Sequence, residues 1–291
     1  MINQSNQNSD FEKCLTYCVF SKHLVGPPLD EVAARLAKMG ICAIDLTCRP
    51  NGHVLPEKVA DDLPRAVELL KKGGVSVAML TTNITEATPA NAKVLQTAAK
   101  LGVRYYKLGY YYYAGFNTIK QQRAEVAAKL KDLAALNLEI GIHGGFHNHS
   151  EDSFGAVMAD IHAVIQDIPK KAIGVYFDPT HAVIEGGSAG WLMGLDLLAD
   201  HITMLSVKDF CWVEGKHRYA GARRHSIEFT TLEKGNTPWP TVLQHLKAIK
   251  FNGPVSFHSE YQGDYSFKNL SVDEVFEQTE RDFKQFRSWL P

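Results

Sequence analysis

The segment GVYFDPTHAVIEGG, residues 174–187, holds the key to the fold. Gly174 to Phe177 is a short apolar and aromatic run of buried-strand length, and it stops at Asp178 and Pro179. An Asp followed by Pro suits a helix start, since the carboxylate caps free N–H groups and Pro lacks the N–H that would otherwise go unpaired. A strand running straight into a helix is one βα unit. Outward from it the alternation repeats along the chain, with strands predicted over 14–20, 42–47, 76–80, 104–108, 139–143, 174–177, 204–207 and 255–257. Helical-period stretches such as 89–101 and 118–136 lie between them, and a last helix is predicted from Val272 to Trp289. The pattern implies an α/β chain folded as a (β/α)8 TIM barrel, one domain over residues 13–291 behind a disordered lead, 1–12. A longer insert, Trp212 to Trp239, is expected to fold partly over the barrel mouth and to have a mobile tip.

Bulk properties narrow the function. At 291 residues, one large α/β domain is the natural size. The net charge of −1 comes from acids and bases spread evenly along the chain, so no basic stripe offers itself to a phosphate backbone and nucleic acid is not expected as a partner. No apolar run reaches the roughly 18 residues of a membrane span. The polar start, Met1 to Lys13, has no signal-like apolar core, and the five cysteines follow no metal-ligand or disulfide framework. These features point to a cytoplasmic protein in a reducing compartment.

In a parallel barrel the loops after the strands converge on one concave mouth, so strand ends are where reactive side chains matter. His147 and His149 follow strand five and can serve as ligands or as a general base, or can simply hold a hydrogen-bonded loop with Asn148. Asp178 directly after a buried strand is costly unless it pairs or coordinates, although it also suits a helix cap. His181 and Glu185 follow it. Lys208 and Asp209 end strand seven, where a lysine can stabilise an oxyanion or can pair with the neighbouring acid. His258 and Glu260 alternate after strand eight and so are expected on one face, as a metal ligand and an acid/base group or as two acid/base groups. Arg49 in the loop after strand two can bind a substrate oxygen. Trp212 and the Tyr110–Tyr113 run are candidate aromatic walls.

Five segments, DLTCRPNGHVLPE (45–57), GGFHNHSED (144–152), GVYFDPTHAVIEGG (174–187), SVKDFCW (206–212) and GPVSFHSEY (253–261), resemble, in this order, the xylose isomerase-like sugar phosphate isomerase/epimerase superfamily, whose barrel is shared with endonuclease IV. The resemblance covers Lys13 to Leu290. It implies a divalent-metal site of Glu, Asp, His and Glu on strands five to eight. Here His147 stands at the first position, Asp178 is retained, Ser206 replaces the His, and His258 takes the last position with Glu260 two residues on. His147, Asp178, His258 and Glu260 would then hold Mn2+, Zn2+ or Mg2+.

The expected activity is proton transfer next to a carbonyl on a ketose, keto-sugar or related polyol, as isomerase or epimerase, with a dehydratase or lyase acting on an inosose or 3-keto-glycoside as the alternative. Catalytic roles fall to Glu260, His147, His149 and Lys208. Substrate binding falls to His181, Arg49, Trp212, Asn148 and Glu185. A non-catalytic sugar-binding barrel with a degenerate metal site is the reading from another class. A nuclease is disfavoured by the neutral charge and by too few ligands for a trinuclear zinc site. The resemblance also implies self-association into a homo-oligomer.

Overall fold

A computed structural model describes residues 8–214 and 225–291. The strands, in chain order, are β1 (Thr16–Phe20), β2 (Ala43–Cys48), β3 (Ser76–Thr82), β4 (Tyr105–Lys107), β5 (His143–His147), β6 (Ile173–Phe177), β7 (Ile202–Val207), β8 (Asp209–Glu214), β9 (His225–Thr230) and β10 (Pro254–Phe257). β1 to β7 and β10 close into a parallel barrel, β10 pairing with β7 on one side and β1 on the other, while β8 and β9 form a separate antiparallel ribbon. The helices are α1 (Asn8–Lys13), α2 (Leu29–Lys38), α3 (Val59–Lys72), α4 (Pro89–Lys100), α5 (Ile119–Ile140), α6 (Met158–Ile165), α7 (Pro179–Gly186), α8 (Gly190–Leu198), α9 (Trp239–Ala248) and α10 (Val272–Ser288). This is the (β/α)8 barrel that the alternation implied.

The apolar side chains of the barrel divide into two bodies, and a third, small cluster of Ile184, Phe210 and Ile227 lies between α7 and the ribbon. The larger lies between strands and helices and includes Leu46, Val175, Leu205, Leu130 and Phe286. The smaller fills the barrel's inside with Cys18, Ala43, Met79, Tyr176 and Met204. Gly145 on β5 makes that packing possible: a Cβ there would lie 1.9 Å from the Met204 methyl. The inside is therefore solid beneath the mouth. No described helix is long and apolar enough to cross a membrane.

Three expectations need correction. The fifth strand is His143–His147, not 139–143, because α5 runs on to Ile140 and stops at Gly141 in the left-handed region (φ 70°). Gly144 and Gly145 have low strand propensity but are required by the close approach of Met204 and Tyr106, so tertiary packing overrides local preference. Within the lead, residues 8–13 form α1, which buries Phe11 against the outer core; residues 1–7 lie outside the described residues. The insert begins as the β8–β9 ribbon, which places Trp212 within a strand, while Trp239 starts α9. The tip expected to be mobile lies at 215–224, outside the described residues.

Candidate active site

The C-terminal ends of β5, β6, β7 and β10 bring their polar side chains to one place. Asp178, the first residue after β6, is fully buried and is both things the sequence left open. Its Oδ1 caps α7 by accepting from the His181 N–H at 3.0 Å, while Oδ2 faces the mouth. There Oδ2 accepts from Ser206 Oγ at 2.9 Å, meets His147 Nε2 at 3.2 Å and lies 3.4 Å from the Lys208 ammonium. Ser206 thus donates to the carboxylate from the position at which the resemblance implied a histidine.

Lys208 is the hub. Its ammonium lies 3.1 Å from Glu260 Oε2 and 2.8 Å from His181 Nε2, and it faces the ring of Phe229 on β9 at 4.8 Å, so the ribbon covers this part of the mouth. Glu260 holds a second cation, Lys22 after β1, at 3.2 Å. Asp209, the other acid considered for Lys208, accepts instead from the Thr237 N–H and Trp239 Nε1. Burial pushes the Asp209 carboxyl up to about 7.

Electrostatics follow from this arrangement. Burial opposes the charge on Asp178 and Glu260, but Lys208 outweighs it, joined by Lys22 at Glu260, and both carboxyls sit well below their usual range. Burial likewise opposes the charge on Lys208, and Asp178 and Glu260 hold its pKa above the usual value. The imidazoles go the other way. Burial lowers His147 to about 4 and, with Lys208, His149 to about 3; His181 and His258 also lie well below 6.5, so all four are neutral at pH 7.

The hydrogen bonds assign their tautomers. A neutral His147 donates from Nε2 to Asp178 and accepts at Nδ1 from the Tyr110 hydroxyl at 3.1 Å. His181 accepts from Lys208 at Nε2 and donates from Nδ1 to Ser150 Oγ at 2.7 Å. His258 Nε2 pairs with the Tyr176 hydroxyl at 2.6 Å. His149 Nδ1 donates to the Ser150 carbonyl at 3.2 Å, and its Nε2 has no hydrogen bond among the described residues. The His149 ring also lies tilted against that of His181, their centroids 3.9 Å apart.

The remaining expected residues scatter. Asn148 clasps the Asp178 peptide from both sides, donating to its carbonyl at 2.9 Å and accepting from its N–H at 2.8 Å, which fixes the β5 and β6 ends relative to each other. Arg49 lies over the Phe20 ring at the mouth. Trp212 is exposed on β8 with its ring against Phe210, and Glu185, exposed on α7, accepts from the Glu151 N–H. His258 and Glu260 do reach the same mouth, though not by strand alternation. β10 ends at Phe257, and Ser259, at φ 29° with its hydroxyl 2.6 Å from that of Thr279, turns the chain between them. A cleft of about 380 Å³ opens beside Glu260, lined by Lys22, His23, Phe229, Gln262 and Tyr265. A larger one, about 650 Å³, lies at the opposite end of the barrel around Arg104 and His143 and touches none of this chemistry.

As arranged, these residues do not fit a divalent cation. A lysine ammonium already lies between Asp178 and Glu260, His147 is bonded on both nitrogens, and His258 is turned to Tyr176. Among the described residues no group of three or more His, Cys, Asp or Glu is disposed to hold a metal. Lys22, Tyr176 and Lys107 belong to the mouth and escaped the sequence reading. Lys107 closes β4 in a Tyr-Tyr-Lys run, and a charged residue inside the predicted strand 104–108 was the available signal.

The family model for the xylose isomerase-like TIM barrel matches residues 33–288, and the chain belongs to that family. No curated protein sequence matches the chain. Among solved structures it is similar to a D-allulose 3-epimerase from Methylomonas sp., at 16% identity and a TM-score of 0.69 over 95% of this chain and 98% of that one. It is also similar to an E. coli 3-keto-D-glucoside 4-epimerase (11%, TM-score 0.65, covering 94% and 99%). A third is a probable 3-DHS dehydratase from Bacillus anthracis (11%, TM-score 0.67, covering 92% and 97%). At these identities the likeness concerns the fold.

Proposed function

We propose that this protein is a sugar isomerase or epimerase-like enzyme that moves a proton next to a carbonyl on a ketose, keto-sugar or related polyol. The observation that carries the reading is the Asp178–Lys208–Glu260 chain at the C-terminal mouth of the barrel, buried at Asp178 and Lys208, half-buried at Glu260 and ringed by neutral imidazoles. Proton abstraction beside a carbonyl needs a base, a positive charge near the developing enolate oxygen, and a donor to return the proton. Glu260, ionised and bordering the cleft, is the base. Lys208 supplies the positive charge. His149, with Nε2 open, serves as the second acid/base group, while His147 holds Asp178 in place. His181, bound to Lys208, orients the substrate, and Arg49 lies within reach of its far end.

The same abstraction leads to elimination when the β carbon carries a hydroxyl, and the lysine–imidazole pair of Lys208 and His181 would protonate that leaving group. This keeps dehydratase chemistry as the second reading. A divalent ion on His147, Asp178, His258 and Glu260 would have to displace Lys208. The five free cysteines suit a reducing cytoplasm, and the family resemblance favours a homo-oligomer.

The test is deuterium incorporation from D2O into a panel of ketoses, keto-sugars and inososes. Wild type is expected to exchange at one carbon, and Glu260→Gln to lose exchange while keeping its circular dichroism spectrum. Wild-type turnover by Glu260→Gln would end the base assignment. Calorimetric sugar binding by wild type without any exchange would identify a binding protein instead.

A further inference from the structure

The acids around the mouth are already matched. Asp178 and Glu260 hold Lys208, with Lys22 also on Glu260, and Asp45 on β2 accepts from Thr81 at 2.8 Å and Ser256 at 3.0 Å. The unmatched charged group is a donor. Lys107 Nζ, on the last residue of β4 and only 2% exposed, has no hydrogen-bond partner among the described residues. It lies 3.5 Å from the centre of the Tyr110 ring, whose hydroxyl bonds His147, and that ring lies 4.9 Å from His149. What this corner of the mouth lacks is an electron-rich or electrophilic group brought by the substrate.

Two kinds of substrate group would answer. A carboxylate or phosphate needs the ammonium form; the Tyr110 ring and Asp45 favour that form, but burial, with Arg49 and Lys208, outweighs them and pushes the Lys107 pKa well below its ordinary value. A carbonyl carbon needs the free amine, the nucleophilic form. The surroundings favour the carbonyl.

We propose that Lys107 forms an imine with the carbonyl carbon of the substrate and acts as the electron sink of the reaction. This rests on the proton-transfer reading above and deepens it. The amine lone pair forms the C–N bond as the carbonyl π pair moves to oxygen, which takes up a proton while nitrogen loses one. After a second protonation that oxygen leaves as water and the nitrogen lone pair completes C=N. The protonated imine acidifies the neighbouring C–H. Glu260 takes that proton, the C–H pair becomes C=C, and the C=N π pair returns to nitrogen as an enamine. Reprotonation of that carbon and addition of water release the product and the amine. Nothing is oxidised or reduced. A fixed cationic nitrogen bonded to the substrate carbon does what a polarising metal would otherwise do.

The probe is dihydroxyacetone, the smallest polyhydroxylated ketone, applied to the full chain with sodium cyanoborohydride, which reduces an imine to a stable secondary amine. Wild type is expected to carry the label on Lys107, read by peptide mass mapping as loss of tryptic cleavage after that residue. Lys107→Arg removes the nucleophilic amine while keeping a long side chain, and is expected to lose both the label and deuterium exchange. Lys107→Met serves as the second variant should Arg fail to fold. Labelling confined to surface lysines or Lys208, or undiminished labelling in the Lys107 variants, would overturn the proposal. So would wild type that exchanges deuterium without label, or inorganic phosphate protecting Lys107 from acylation with no trapping; both leave the proton-transfer reading standing. Label on Lys107 without exchange on any sugar would do the reverse, supporting the imine and removing that reading.

Discussion

Replacing Lys208 by Met removes one charge from the hub while keeping an unbranched side chain of similar length. In wild type the ammonium lies 3.4 Å from Asp178 and 3.1 Å from Glu260, both in a water-poor setting. Taking away one partner of a buried ionic group leaves its counter-charges unsolvated, and such losses run to about 3–5 kcal/mol at neutral pH. Glu260 keeps Lys22, whereas Asp178 keeps only a serine and neutral groups, so most of the cost should fall on Asp178. The pH dependence identifies the cause. With Lys208 present the two carboxyls titrate below their unfolded values, so their contribution is present above about pH 4 and is lost as pH falls. Without it, burial raises Asp178, and the variant regains stability as that carboxyl takes up a proton. The gap between wild type and Lys208→Met, measured by urea unfolding, should therefore be widest at pH 7 and narrow by pH 5, with deuterium exchange abolished. A gap that is the same at both pH values would refute the ionic account. Exchange at the wild-type rate would refute the role of Lys208.

The imidazoles give a separate expectation. His147 titrates at about 4 in the fold and near 6.5 when unfolded, so the unfolded chain binds the extra proton between those values. Stability supplied by the neutral ring is complete above pH 6.5 and falls on acidification to pH 4, by about 3 kcal/mol for this residue alone. Unfolding free energies that rise between pH 7 and 5 would contradict it. For metal, dialysis against EDTA should leave wild-type exchange intact, and added Mn2+ or Zn2+ should raise the melting temperature of Lys208→Met more than that of wild type. Inactivation by EDTA with recovery on Mn2+ would show instead that an ion displaces Lys208.

The barrel was legible in the sequence because the βα alternation announces itself locally, by apolar runs separated by helical-period stretches, with a capped start at helices such as α4 and α7. β5 was the exception. Its two glycines look like a turn, and only side chains from other segments, Tyr106 and Leu108 against Gly144 and Met204 against Gly145, explain why a strand must be glycine there. The histidines and acids were visible as residues, but their partners were not. That Asn148 clasps the Asp178 peptide, that Ser206 donates to the Asp178 carboxylate, and that Lys208 joins β7 to the β10 end are relations between distant segments. Lys22 and Lys107 carry no motif at all. Their meaning comes from which carboxylate, or lack of one, the closed barrel sets beside them.

The cation lying between Asp178 and Glu260 is tethered to the chain by its own peptide bonds. Its local concentration is set at synthesis and owes nothing to the surrounding medium, so every folded copy has this position filled. It also carries one charge where a divalent ion would bring two, which leaves less field to share with an incoming oxygen. A chain with that limitation gains from a second electron-withdrawing group held on a different strand.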